Sequence, residues 1–459
     1  MKRSLFRHIT TGILCAVLLL SGVGCKGLSE KETAAIRPVK LSYWTIYNDV
    51  NQLRNFAKEY NAQRSYVNVN IRRVRLEEFD ELFVNALADD VGPDIISVPI
   101  KELEKYRSRI DKMPDSATTA NFFIKGKYTQ EPVVTFETNP LPSKSWIKGN
   151  YIKTISEDVI SGNTVYGLPL AVDTLAVYYN KDLLDRAGIP TPPTNWTELT
   201  DAVKKATIYN NNGDIVQSGI ALGTGSNIAN SADIFAALLM QKGINVAQRG
   251  YLSFTRGMTG ANKNDPAYEV TRFYTDFARP TKEVYSWSTD KERAFDAFVQ
   301  NKSVFYIGFS FEKSRITARA PQMNLEIIPL PQLNEAEPVN VASYWIESVV
   351  KKSKHKDHAW DFIRFITLPE NIEKYSKATN QPSPLRSQIV TQSEDPFLGP
   401  FASQILTAKN WYRGTDATGA YTKIKEYLDT IIEEYPEDIA QKRQEDVIQN
   451  LPNQMQRTN

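Results

Sequence analysis

The 459-residue sequence has little of the side chains that carry thiol and metal chemistry: 2 cysteines and 3 histidines. Both cysteines, Cys15 and Cys25, fall at the very start. Beyond them the chain has no disulfide and no thiol ligand set. His355 and His358 lie three residues apart in KHKDHAW, a spacing that could clip a metal. No third ligand accompanies them, and the flanking charges read as a solvated helix face. An excess of charge is also missing. The 55 basic and 53 acidic residues leave +2, so no basic field points to nucleic acid. Neither G-x-S-x-G nor H-E-x-x-H occurs. The stretch GTGSNIA lacks the third glycine of a dinucleotide loop and the Gly-Lys of a phosphate loop, and reads as a strand-to-helix turn. Acids are plentiful, but no spacing singles out a pair for glycoside chemistry. Nothing calls for a cofactor.

Apolar runs of membrane-crossing length are absent too. The run at 13–20 is too short to span comfortably. Lys2, Arg3 and Arg7 precede it and SGVGC follows, the pattern of an export signal over 1–24. Cleavage before Cys25 would remove three positive charges and no acid, taking the net charge from +2 to −1. A cysteine behind such a run resembles the acylated first residue of bacterial lipoproteins, although Gly22 stands where that motif usually has leucine. Cys25 is the lipidation candidate. Residues 25–37 read as a tether to a membrane anchor.

What is present is ample apolar material for two large cores. VKLSYWTI (39–46) alternates as a strand. Asn48 or Asp49 can cap the helix that follows, where Val50, Leu53, Phe56, Ala57 and Tyr60 recur at helical spacing. VNVNIRRV is a second strand, the stripe from Leu76 to Leu87 a second helix, and GPDIISV a third strand. This β-α-β-α-β order predicts a mainly parallel sheet, helices on both faces, and a ligand at the strands' carboxyl ends. Residues 111–150 look irregular. Asn195 and Glu198 resemble a capping box. VTRFYTDFA, ERAFDAFVQ and HAWDFIRFIT read as amphipathic helices, NKSVFYIGFSFE and LEIIPLP as strands, and the chain beyond about 401 as helical. Trp44, Trp287, Phe309, Phe311, Tyr344 and Trp345 fall at strand ends or in loops, where aromatics can line a cleft. Trp360 sits in a helical stripe and reads as core.

Five stretches in order carry a resemblance: VKLSYWTI, GPDII, YGLPLAVDTLAVYYNKDLLDRAGIPTPPTNWTEL, AFVQNKSVFYIGFSFEKS and VASYWIESVVKKSKHKDHAWDFIRFIT. Together they resemble bacterial extracellular solute-binding proteins of ABC importers, in the maltose-binding-like group, from about residue 38 to 430. The resemblance implies an α/β fold of two hinge-linked lobes, the periplasmic-binding-protein fold, with the ligand cleft between them. It implies lobe one at 38–172 plus 347–395 and lobe two at 175–343 plus 396–459. Asp173 then falls at the first crossover, facing the cleft, with its carboxylate open to sugar hydroxyls. Ligand contacts are also implied for Trp44, Asn227, Asn230, Trp287, Phe309, Phe311 and Trp345, with phenylalanines where the family often stacks a tryptophan. The expected partners are a small-molecule solute, with anions mildly disfavoured by the acid at the hinge, and ABC permease subunits. A monomer tethered outside the cytoplasm is expected, without catalysis and without nucleic acid. A secreted carbohydrate-active enzyme and a non-transport sensor or adhesion protein remain alternatives.

Overall fold

The computed structural model describes residues 28–126, 130–256 and 265–433. The export signal, Cys25 and the chain beyond 433 lie outside these residues.

Two sheets organise the molecule. The first runs Trp345–Val349, Ile95–Pro99, Val39–Thr45, Val67–Arg73. Its last three strands are parallel, and Trp345–Val349 returns antiparallel to Ile95–Pro99. The helices Val50–Gln63 and Leu76–Ala88 make the crossovers. Asp49 caps the first of these by accepting the Gln52 amide at 2.7 Å. The second sheet runs Leu325–Pro329, Leu175–Asn180, Ser303–Phe309, Ile215–Ile220, Ile208–Tyr209. Ser303–Phe309 and Leu175–Asn180 are buried at every position, as strands covered on both faces must be.

Each sheet has its own core. One gathers residues from Val39 to Val172, then Ala342 to Ile389, then Ile405 and Ala408. The other gathers Leu175 to Val341, then Phe401, then Trp411 to Ile431. The chain therefore passes between the cores at 172–175 and at 341–342, then between 389 and 401, and again on both sides of 405–408. Backbone bridges Asp173–Ser343 and Leu168–Glu347 tie the first two crossings together.

Residues 111–150 are more regular than the sequence suggested. Ser116–Lys125 and Glu131–Pro140 pair over ten positions as an antiparallel hairpin, followed by the helix Lys144–Asn150. The hairpin lies on the helix Lys356–Ile366 of the first lobe. Asp361 on that helix is fully buried. It accepts from Tyr60 Oη at 2.8 Å, Asn139 Nδ2 at 3.1 Å and Arg364 Nε at 3.0 Å.

Candidate functional site

The strand Val39–Thr45 ends at its carboxyl side in Tyr47, and Ile95–Pro99 ends in the short turn Ile100–Glu102. From the other lobe, the start of the helix Ser231–Gln241, the end of Ser303–Phe309 and the start of Ala417–Ile432 face them. The second crossover, at 343–345, forms the floor. These elements enclose a cavity of about 610 Å³. That volume lies within the roughly 300–1,000 Å³ of small-molecule sites.

The lining is aromatic with a few polar groups. Phe309 and Phe311 stack at 6.0 Å with 12° between their planes. Trp345 packs against Tyr47 at 4.7 Å, and its indole N–H is shielded and has no partner. Asn230 gives its amide N–H to Glu312 Oε2 at 3.0 Å and to the Ile307 carbonyl at 3.3 Å, leaving its side-chain oxygen uncommitted. Glu312 is buried, accepts Tyr306 Oη at 2.6 Å, and has its pKa raised by that burial. Lys101 and Asp233, one from each lobe, pair at 3.3 Å. Glu102 pairs with Lys105 at 3.2 Å. Glu77 and Lys425 add one charge of each sign.

Of the eight residues expected to touch ligand, Asn230, Phe309, Phe311 and Trp345 line this cavity. The other four are engaged elsewhere. Trp44 is inside its strand, buried in the first core, with the Arg72 guanidinium 4.7 Å from its ring. Ligands meet the ends of such strands, so Tyr47, three residues on, takes the place assigned to Trp44. Asn227 and Trp287 hold a loop together. The Trp287 indole N–H donates to Asn227 Oδ1 at 3.1 Å, while Asn227 Nδ2 donates to the Ser288 carbonyl at 2.9 Å.

Asp173 does sit at the crossover, but its carboxylate points into the protein. It accepts the backbone N–H groups of Thr174 at 2.8 Å, Ser310 at 2.9 Å and Phe311 at 3.3 Å, and the Ser310 hydroxyl at 2.8 Å. Burial pushes its pKa up to about 6, against the pull of those four bonds. The acid thereby fixes the turn that presents Phe311. It leaves no free acceptor for a cargo hydroxyl.

The GTGSNIA turn follows the same logic. Its amides at Gly225 and Ser226 donate to the Asp429 carboxylate at 2.6 and 2.9 Å, so an acid of the protein occupies the place of an anion. Among the described residues no group of three or more His, Cys, Asp or Glu could hold a metal ion, and no helix is long and apolar enough to cross a membrane.

Sequence reasoning missed Tyr47, Lys101, Asp233 and Tyr421. Tyr47 was within reach, as the aromatic after a strand's carboxyl end. The others carry no local signal. Lys101 and Asp233 are 132 residues apart and meet only through the lobe arrangement.

The model for bacterial extracellular solute-binding proteins matches residues 112–373, more than half of the chain. A protein of Brucella abortus (strain 2308) that carries a binding-protein name is 29% identical over 239 residues, which is 50% of this chain and 53% of that one. The match thus spans about half the length of this curated relative. Among solved structures, the sugar-binding protein MalE of Xanthomonas citri aligns with a TM-score of 0.67 at 16% identity, covering 92% of this chain and 99% of that one. The GacH receptor of Streptomyces glaucescens, solved unliganded and with acarbose, aligns with a TM-score of 0.66 at 15% identity over 91% and 99%. At those identities the likeness is one of fold. Joined to the family match and to a cavity walled by both lobes, it makes this chain a member of the bacterial extracellular solute-binding protein family.

Proposed function

We propose that this protein is a lipid-anchored receptor outside the cytoplasm. It captures an uncharged, hydroxyl-rich solute, a carbohydrate, between its lobes and hands it to an ABC permease. The cavity lining carries the reading. Phe309, Phe311, Tyr47 and Trp345 offer apolar ring surfaces, against which the CH faces of a sugar ring can pack. The Asn230 side-chain oxygen offers an acceptor for hydroxyls. Most cleft charge is paired within the protein, which favours an uncharged cargo. The solved relatives lend support, since three of them were solved with acarbose, maltotetraose or mannobiose bound.

The lobes divide at the two crossovers, close to 38–172 plus 347–395 and 175–343 plus 396–459. Ala342, Tyr344 and Ile346 join the first core, so its second segment begins slightly earlier, and Ile405 and Ala408 return to that core from within the last segment. Closure is a hinge motion driven by contacts that the cargo makes only in the closed state. The protein acts as a monomer and performs no covalent step. Cys25 carries the anchor.

A thermal-shift screen against neutral mono- and oligosaccharides, polyols, amino acids and peptides tests the cargo class. A sugar held at 100 times its dissociation constant should stabilise the protein by about 2.7 kcal/mol. A shift confined to amino acids or peptides would remove the carbohydrate reading. Cys25→Ser should release the protein from the membrane fraction, and unchanged membrane retention would remove the anchor.

A further inference from the structure

Among the described residues, side chains of the two lobes meet at Lys101–Asp233 and Glu102–Thr418 in the cleft, and the Arg413–Asp158 ion pair joins the lobes as well. Lys101 lies in the turn after the first-lobe strand Ile95–Pro99, and Asp233 in the first turn of the second-lobe helix Ser231–Gln241. Lys101 Nζ stands 3.3 Å from Asp233 Oδ1, with the two side chains only 7% and 6% exposed. Beside them Thr418 Oγ1 of the second lobe donates to Glu102 Oε1 of the first at 3.3 Å.

The second lobe holds Asp233 in place independently of Lys101. Trp411 Nε1 donates to Oδ1 at 2.7 Å and Tyr421 Oη to Oδ2 at 2.7 Å. Both rings also face the incoming ammonium, each with its centroid 5.6 Å from Lys101 Nζ. One lobe thus presents a carboxylate between two aromatic rings, and the other inserts a single ammonium. Burying an ion pair is costly unless further bonds and ring faces replace the lost water, and this receptor supplies both. Parting the lobes would return both charges to water.

We propose that Lys101 and Asp233 form a closing latch, and that Lys101 is the positioning residue that couples cargo to closure. The inference rests on the cleft reading above. An ammonium has three donors, and the latch uses one on Asp233. The others remain for acceptor oxygens of a cargo, so the group that holds the lobes together also reads what lies between them.

Small-angle scattering and titration of the purified protein with maltotetraose and mannobiose test this. K101M and D233N should each enlarge the radius of gyration of the cargo-free protein and weaken binding about tenfold or more. The double variant should be no worse than the worse single one, because the two changes break one interaction. Scattering curves that superimpose on wild type, or losses that simply add, would overturn the latch. Should a neutral variant fail to fold, K101D/D233K replaces it. A compact curve from that charge swap supports the latch, and an expanded curve with native circular dichroism sinks it. If neither sugar nor any other carbohydrate binds wild type, the proposed cargo class fails, while the scattering comparison still decides the latch.

Discussion

Glu347 shows how much one buried side chain can set. It lies in the strand Trp345–Val349, under the cleft floor, and is fully buried. Its carboxylate accepts from Tyr43 Oη, from Ser97 Oγ at 2.7 Å and from Asn48 Nδ2 at 2.6 Å. Burial nevertheless outweighs these bonds and lifts its pKa to about 7. The unfolded chain releases this proton near pH 4.5, so the folded state binds more protons between the two values. Stability then falls as pH rises through that window. The full effect is on the order of 3 kcal/mol. Asp173, raised to about 6, tilts the curve in the same direction over a narrower range. Denaturant midpoints measured from pH 4.5 to 8 should therefore show wild type gaining on Glu347→Gln as pH falls. Parallel curves for the two proteins would contradict the assignment. The sequence offered little of this. It offered Asn48 or Asp49 as the helix cap; the cap is Asp49, and Asn48 serves Glu347 instead. Which of two adjacent cap-competent residues turns inward depends on a carboxylate 299 residues away.

At the scale of elements the sequence was most legible where periodicity was long. The first three strands and two helices fall where alternation and helical spacing place them, because each must bury one face. The hairpin at 116–140 was the loss. Its outer half exposes Phe123, Ile124 and Phe136, so apolar and polar residues do not alternate cleanly. What fixes it is polar and distant. Asp361, from the helix Lys356–Ile366, receives Asn139 and Arg364, while Arg64 donates to Thr119 Oγ1 at 3.3 Å and pairs with Glu137. Removing Asp361 leaves Arg64, with a 9%-exposed side chain, without the carboxylate 3.9 Å away. Asp361→Ala should cost about 3–5 kcal/mol. Hydrogen exchange should quicken first at 116–125 and 131–140, with the Ile215–Ile220 strand of the other lobe unaffected. Uniform acceleration across both lobes would mean that the helix does not anchor the hairpin.

For the whole molecule the decisive feature is how closely the crossovers pack. The cleft could be assigned from sequence only through resemblance, since no local pattern says that residues 47, 101, 233 and 421 line one cavity. The resemblance placed Asp173 at a crossover, where it stands, and faced it into the cleft, whereas the turn at 310–311 draws its carboxylate inward. The same closeness makes Gly167 a sensitive point. A Cβ there would come within 2.6 Å of both the Glu347 carbonyl oxygen and the Ser348 hydroxyl. The Glu347 amide donates to the Leu168 carbonyl at 2.9 Å, so neither strand can yield alone. Gly167→Ala must push the first crossover from the second. Overpacking of this kind costs about 1–3 kcal/mol. If these segments also set the angle between the lobes, the variant will bind cargo more weakly and scatter as a wider particle at temperatures where its circular dichroism is native. A variant that loses stability but keeps wild-type affinity and dimensions would show that the crossovers bear load without setting the lobe angle. Closure would then be governed at the cleft mouth, by contacts such as Lys101–Asp233.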